Sequence, residues 1–131
     1  MEPLEGISEA DAHLGRRVPL PTTVLPLARW VEVTAQGPGT VEIEWNLDDT
    51  RGGPGRLALF VSTAPAPTQL PDAGPHPAGD GVLREAPLEE AQASLRPVRE
   101  LSWEQDGLYL RLTGQGAWKP EDLVTIAASV G

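Results

Sequence analysis

The sequence predicts an α+β domain: a bent antiparallel β-sheet with a C-terminal helix packed on one face and a short N-terminal helix. Three observations predict it. Residues 41–47 (VEIEWNL) alternate apolar and polar, the period of a half-buried antiparallel strand. Residues 98–113 read as two strands joined through Asp106-Gly107, a pair that favours the positive φ of tight hairpins. Residues 120–130 open with Pro-Glu-Asp and place Leu123, Ile126, Ala127 and Val130 at helical spacing.

Taken in order, residues 1–6 carry no pattern and are expected to be a flexible leader. Residues 7–131 are expected to be a single domain with a long Pro/Gly loop at 63–81. Ser8 reads as a helix N-cap with Glu9 and Asp11 in the first turn and Gly15 just past the end, giving a helix over 8–14. Three prolines at 19, 21 and 26 forbid a helix or a central strand over 16–27. An extended segment laid across the core by Val18, Leu20, Val24 and Leu25 is expected instead.

Strands are expected at 30–35, 40–47 and 56–62, with turns at 36–39 and 48–55. The loop at 63–81 has little apolar content and is expected to be mobile. Residues 82–95 fit a strand better than a helical turn, because their neighbours are strands. The strands at 98–103 and 108–113 point Leu108, Leu110 and Leu112 inward and Tyr109, Arg111 and Thr113 outward. Residues 114–117 form a flexible bridge to the helix. No repeat and no coiled-coil heptad is visible.

Composition narrows the function classes. The 131 residues carry 19 acidic and 10 basic side chains, a formal net charge of −9. So acidic a chain repels phosphate backbones and argues against nucleic acid as a partner. The sequence has no cysteine, which removes disulfides, thiolate metal sites and thiol nucleophiles. No run of apolar residues approaches a membrane span, so no membrane insertion by this chain is expected. The acidic start does not read as a signal peptide; if the protein is exported, the signal lies elsewhere.

The chemistry-bearing residues form no recognised constellation. His13 on the first helix has Glu9 four residues before it, an ordinary helix pairing. His76 has Asp72 and Asp80 nearby, but in a loop that gives a metal no fixed geometry. Asp48 and Asp49 lack the spacing of a calcium loop, and Gly52-Gly53-Pro54-Gly55 lacks the Lys-Ser/Thr of a phosphate loop. Glu42 and Glu44 share a strand face and read as solvated. No serine sits in a nucleophile elbow. No catalytic residue, metal or cofactor is therefore expected. Four tryptophans, Trp30, Trp45, Trp103 and Trp118, are many for a small domain. They anchor the core, or some of them line a groove for an apolar ligand. The groove residues on that second reading are Trp45, Trp103, Leu110 and Ile126.

Two blocks carry a family resemblance: ISEADAHLGRRVPLPTTVLP near the start and LSWEQDGLYLRLTGQGAWKPEDLVTIAASV at the end. Their layout resembles the small extracytoplasmic domain of uncharacterised function found C-terminally in bacterial membrane-anchored proteins. Those include anti-sigma-factor-like and sporulation-associated ones, with related patterns in lipoprotein-carrier-like proteins. The blocks span under half the chain, and the middle departs from the pattern. The resemblance implies a non-enzymatic sensing or protein-interaction domain with a protein partner, on the outer side of a bacterial membrane. Without it, a cytoplasmic location stands. The alternative is a carrier or binder of an apolar ligand between helix and sheet.

Overall fold

The computed structural model describes residues 2–25, 28–47, 54–65, 67–70, 73–86, 98–116 and 118–131. One antiparallel sheet of eight strands dominates it, with a helix at each end of the chain. The strands are β1 (Glu2–Leu4), β2 (Trp30–Gly37), β3 (Thr40–Asn46), β4 (Pro54–Ser62), β5 (His76–Ala78), β6 (Gly81–Glu85), β7 (Val98–Gln105) and β8 (Leu108–Gly116). The helices are α1 (Ile7–Leu14) and α2 (Pro120–Ala128). The spatial order β1-β2-β3-β4-β8-β7-β6-β5 makes two four-stranded meanders that meet where β4 pairs with β8. The predicted α+β class, with a helix at either end, is the class observed.

Period-2 alternation gives the sheet one apolar face. Ile43, Leu59, Leu112, Leu101 and Leu83 stand in register on neighbouring strands, and all are buried. Both helices add to the core on this face: Ala10 and Leu14 from α1, Leu123 and Ile126 from α2. Val18 on the Pro-rich segment is also buried there, and Pro21 bridges to Val130. Glycine is required at Gly114, because a Cβ there would come within 2.9 Å of the Trp118 ring and 3.2 Å of Leu123. Across the β7–β8 turn, Asp106 and Gly107 hold φ of 52° and 78°, the positive pair the sequence predicts. Ahead of α2, the Asp122 carboxylate accepts the Lys119 backbone N–H at 2.9 Å, satisfying a donor the helix leaves free.

Several expectations need correction. Glu2–Leu4, within the expected leader, pair with β2 as an edge strand. α1 starts at Ile7 after Gly6, and Ser8 does not cap it. Glu9 instead turns back and accepts the Glu5 N–H at 2.8 Å, closing the entry one residue earlier. His13 consequently has no Glu9 partner; its Nε2 lies 2.6 Å from the Gly37 carbonyl. Val24 is 95% exposed and takes no part in the core. The expected bridge over 114–117 is strand up to Gly116, because β8 continues along β4 and β7. His76–Ala78 and Gly81 belong to a β5–β6 hairpin, not to a loop. Of the turn expected at 48–55, Pro54 and Gly55 belong to β4. Pro26, residues 48–53 and 87–97, and Asp72 lie outside the described residues.

Candidate functional site

Among the described residues no helix packs on the sheet's second face, and the sequence makes it polar. Side chains at alternate positions of the same strands point here: Glu42 and Glu44 from β3, Arg56 and Phe60 from β4, Tyr109 and Arg111 from β8, Glu100 and Ser102 from β7. Pairing aligns Glu42, Phe60, Arg111, Ser102 and Val82 in one cross-strand row. Glu44 belongs to the next row, with Ala58, Thr113, Glu100 and Arg84.

Two of these polar groups are buried. Glu100 is 0% exposed and Arg111 is 6% exposed. The cover is the described part of the expected mobile loop. Thr68 Oγ1 donates to Glu100 at 2.6 Å, and the Gln69 backbone N–H donates to the other carboxylate oxygen at 2.9 Å. Arg111 Nη1 donates to the Pro67 carbonyl at 2.9 Å. The loop is short of apolar residues because it docks through its backbone onto a buried carboxylate and a buried guanidinium. Such docking leaves no hydrophobic trace in a sequence.

Charge is distributed unevenly over this face. Arg56 is held by Glu44, Nε to carboxylate at 2.7 Å and Nη2 at 2.9 Å, with Glu42 at 3.8 Å. The hydrogen bond that Arg56 donates to Glu44 is the largest reason the Arg56 pKa is raised. Glu42 has its pKa raised by burial, against the pull of Arg56 and Arg111 and with a further push from Glu44. The expected solvated pair Glu42 and Glu44 is thus half-buried and engaged with an arginine. Arg111 has its pKa lowered by burial, with Glu100 and Glu42 acting the other way. Its guanidinium carbon lies 4.1 Å from the centroid of the Phe60 ring. Beside it opens a pocket of about 470 Å³ lined by Phe60, Ser102, Tyr109, Arg111, Val82 and Pro65, with Asp80 and Glu104 also on its wall.

A second feature lies at the opposite edge. β1 pairs only with Val33–Ala35 of β2. Among the described residues no strand pairs with the outer side of Trp30, Val31 and Glu32. Trp30 is 45% exposed and Val31 is 50% exposed. A groove of about 590 Å³ runs beside them, lined by Leu4, Ile7, Val31 and Val33, with Glu5 and Glu32.

The four residues proposed from sequence to line an apolar groove are placed as follows. Leu110 and Ile126 are buried within the core. Trp45 and Trp103 are partly buried on the helix-covered face. β3 and β7 are three strands apart, about 14 Å across the sheet. Trp103 lines a groove of about 420 Å³ between the β5–β6 turn and α2, with Val124, Ala127 and Val130; the other three do not line it. Trp118 is buried and donates from Nε1 to the Arg56 carbonyl at 3.0 Å. Among the described residues no cluster of three His, Cys, Asp or Glu could hold a metal ion. Among them, too, no helix is long and apolar enough to cross a membrane.

The role of Arg111 leaves little trace in the sequence. Arg111 sits at an outward position of an alternating strand, and outward arginines are ordinarily solvated. The one available signal was Phe60, the only phenylalanine, at an outward position of β4.

No family model, no curated protein and no solved structure matches the chain.

Proposed function

We propose that this chain is a non-enzymatic interaction domain that takes up an extended segment of a protein partner along the open half of β2. The observation that supports it is the short edge strand: β1 ends at Leu4, and β2 continues for three more residues with Trp30 and Val31 exposed. An added strand would satisfy outward main-chain groups there and seat alternate side chains in the neighbouring groove. The groove offers Leu4, Ile7 and Val31 to aliphatic side chains and Glu5 and Glu32 to cations. The fitting partner segment therefore alternates aliphatic residues with Lys or Arg. The resemblance of the two end blocks supports placing such a domain in a membrane-anchored regulatory protein, on the outer side of a bacterial membrane.

A short peptide alternating valine with lysine tests this. The expected result is slowed amide exchange at Trp30–Glu32 with the peptide bound. Affinity should fall about tenfold in a Trp30→Ala, Val31→Ser double variant that keeps the wild-type circular dichroism. Equal binding of a valine–glutamate peptide, or protection mapped elsewhere, would overturn the proposal. A carrier of apolar ligands is the second reading, supported by the groove beside α2 that Trp103 lines.

A further inference from the structure

A buried arginine ordinarily spends its five donors and stands against a carboxylate. Arg111 does neither. Its Nε is buried and has no hydrogen-bond partner among the described residues, and Nη1 is spent on the Pro67 carbonyl. No ion pair within 4.0 Å joins it to a described acidic residue. The two carboxylates that act on its charge are occupied: Glu100 by Thr68 and Gln69, Glu42 by Arg56. Stacking on Phe60 fixes the guanidinium but leaves its charge without an anion in contact.

Arg111 is also one of the residues lining the 470 Å³ pocket on the second face, a volume in the range of small-molecule sites. The apolar part of the lining is Phe60, Tyr109, Val82, Pro65, Trp103 and Leu110. Ser102, directly opposite Arg111 in the β7–β8 pairing, also lines the pocket, and its hydroxyl donates to Glu100 at 3.5 Å. Asp80 and Glu104 add two carboxylates to the wall. With a net charge of −9 behind them, they disfavour a ligand of high negative charge.

We propose that this pocket binds a small ligand with a single carboxylate on a flat apolar body, with Arg111 as the anion anchor and Phe60 and Tyr109 as the apolar walls. The carboxylate supplies the acceptor that Arg111 lacks. The flat body fills the space between the rings and Val82. This site is separate from the β2 edge and does not depend on it.

Benzoate is the simplest probe, with benzamide as its uncharged isostere and inorganic phosphate as the compact, more highly charged anion. The expected result is that benzoate perturbs the amide resonances of Phe60, Ser102, Tyr109 and Arg111. Benzamide should bind at least about tenfold more weakly, the discrimination a charge-assisted contact supplies. Arg111→Met should abolish the preference for benzoate over benzamide. Because that substitution alters a buried group, Val82→Trp provides an independent arm: it fills the pocket from its rim, where Val82 is 37% exposed, and leaves Arg111 in place. It should remove benzoate binding while the folded spectrum persists. Equal affinity for benzoate and benzamide, tighter binding of phosphate, or unchanged benzoate binding in Val82→Trp would each overturn the assignment.

Discussion

On the helix-covered face, Leu101 and Leu112 pair across β7 and β8 and lie in one unbroken apolar row with Leu59 and Ile43. One residue earlier in the same two strands, Glu100 and Arg111 point the other way and are nearly as inaccessible. The first pair is buried by helices, through contacts that need only shape and apolarity. The second is buried by a loop, through hydrogen bonds that need particular donors and acceptors at particular distances. The difference predicts how each face fails. Apolar burial is lost in proportion to volume removed, and the whole core shares the loss. Polar burial is lost bond by bond, and the loop that makes the bonds is the part released.

The largest effect is expected from the helix-covered face. Leu112→Ala removes a side chain at 0% exposure from the middle of the central strand pair. It should cost about 3 kcal/mol or more, read as a lower urea midpoint with an unchanged slope. Amide exchange should quicken across all eight strands together. A loss below about 1 kcal/mol would mean the central row is less tightly packed than its burial implies.

The second face should respond locally. Glu100→Ala removes the acceptor of the loop's two hydrogen bonds and of a longer one from Ser102 Oγ at 3.5 Å, and about 2 kcal/mol of stability. Its signature is selective: Thr68–Leu70 should gain exchange and protease sensitivity while the strands keep theirs. Thr68→Val removes the 2.6 Å hydroxyl donor to Glu100 and the hydroxyl acceptor of the Leu70 N–H at 3.0 Å, and should cost about 1 kcal/mol with the same local signature. If Glu100→Ala instead weakened every strand equally, the two faces would be one cooperative unit and the contrast would dissolve.

That contrast also explains what could be read in the sequence. The apolar face was legible because alternation along β3, β4 and β8 and the 3.6 period of α2 are direct imprints of burial against water. The Asp106-Gly107 turn was legible because only certain residues hold positive φ in succession. The second face was not. Glu100 and Arg111 occupy outward positions, and nothing in the period distinguishes an outward residue in solvent from one beneath a loop. The loop itself reads as mobile because Pro67, Thr68 and Gln69 dock through a carbonyl, a hydroxyl and a backbone N–H. The leader was misjudged for a related reason. Three residues of Glu2–Leu4 are too few to show a period, and their pairing with β2 is specified by partner backbone rather than by their own side chains. Trp45, Trp103, Leu110 and Ile126 were expected to line one groove, but periodicity says nothing about lateral separation between strands.

The smallest effect tests the electrostatics of the second face alone. Glu42 is shifted upward chiefly by burial, so its folded pKa lies above its unfolded one. For a carboxyl shifted this way the folded state binds the proton more tightly than the unfolded state. The associated stability is fully present below the unfolded pKa and is lost as pH rises through the folded pKa. Glu42→Gln cannot lose it. Between about pH 4 and about pH 7, the wild type should therefore lose more stability, or gain less, than Glu42→Gln in urea titrations at the two pH values. The substitution also removes the weaker contact to Arg56 at 3.8 Å, but Glu44 keeps its two shorter ones, so Arg56 stays paired. The opposite sign would mean that Arg56 and Arg111 outweigh burial at Glu42. Arg111 would then have an effective counterion in Glu42, and the contrast between a satisfied apolar face and an unsatisfied cation on the other would narrow to the unpartnered Nε.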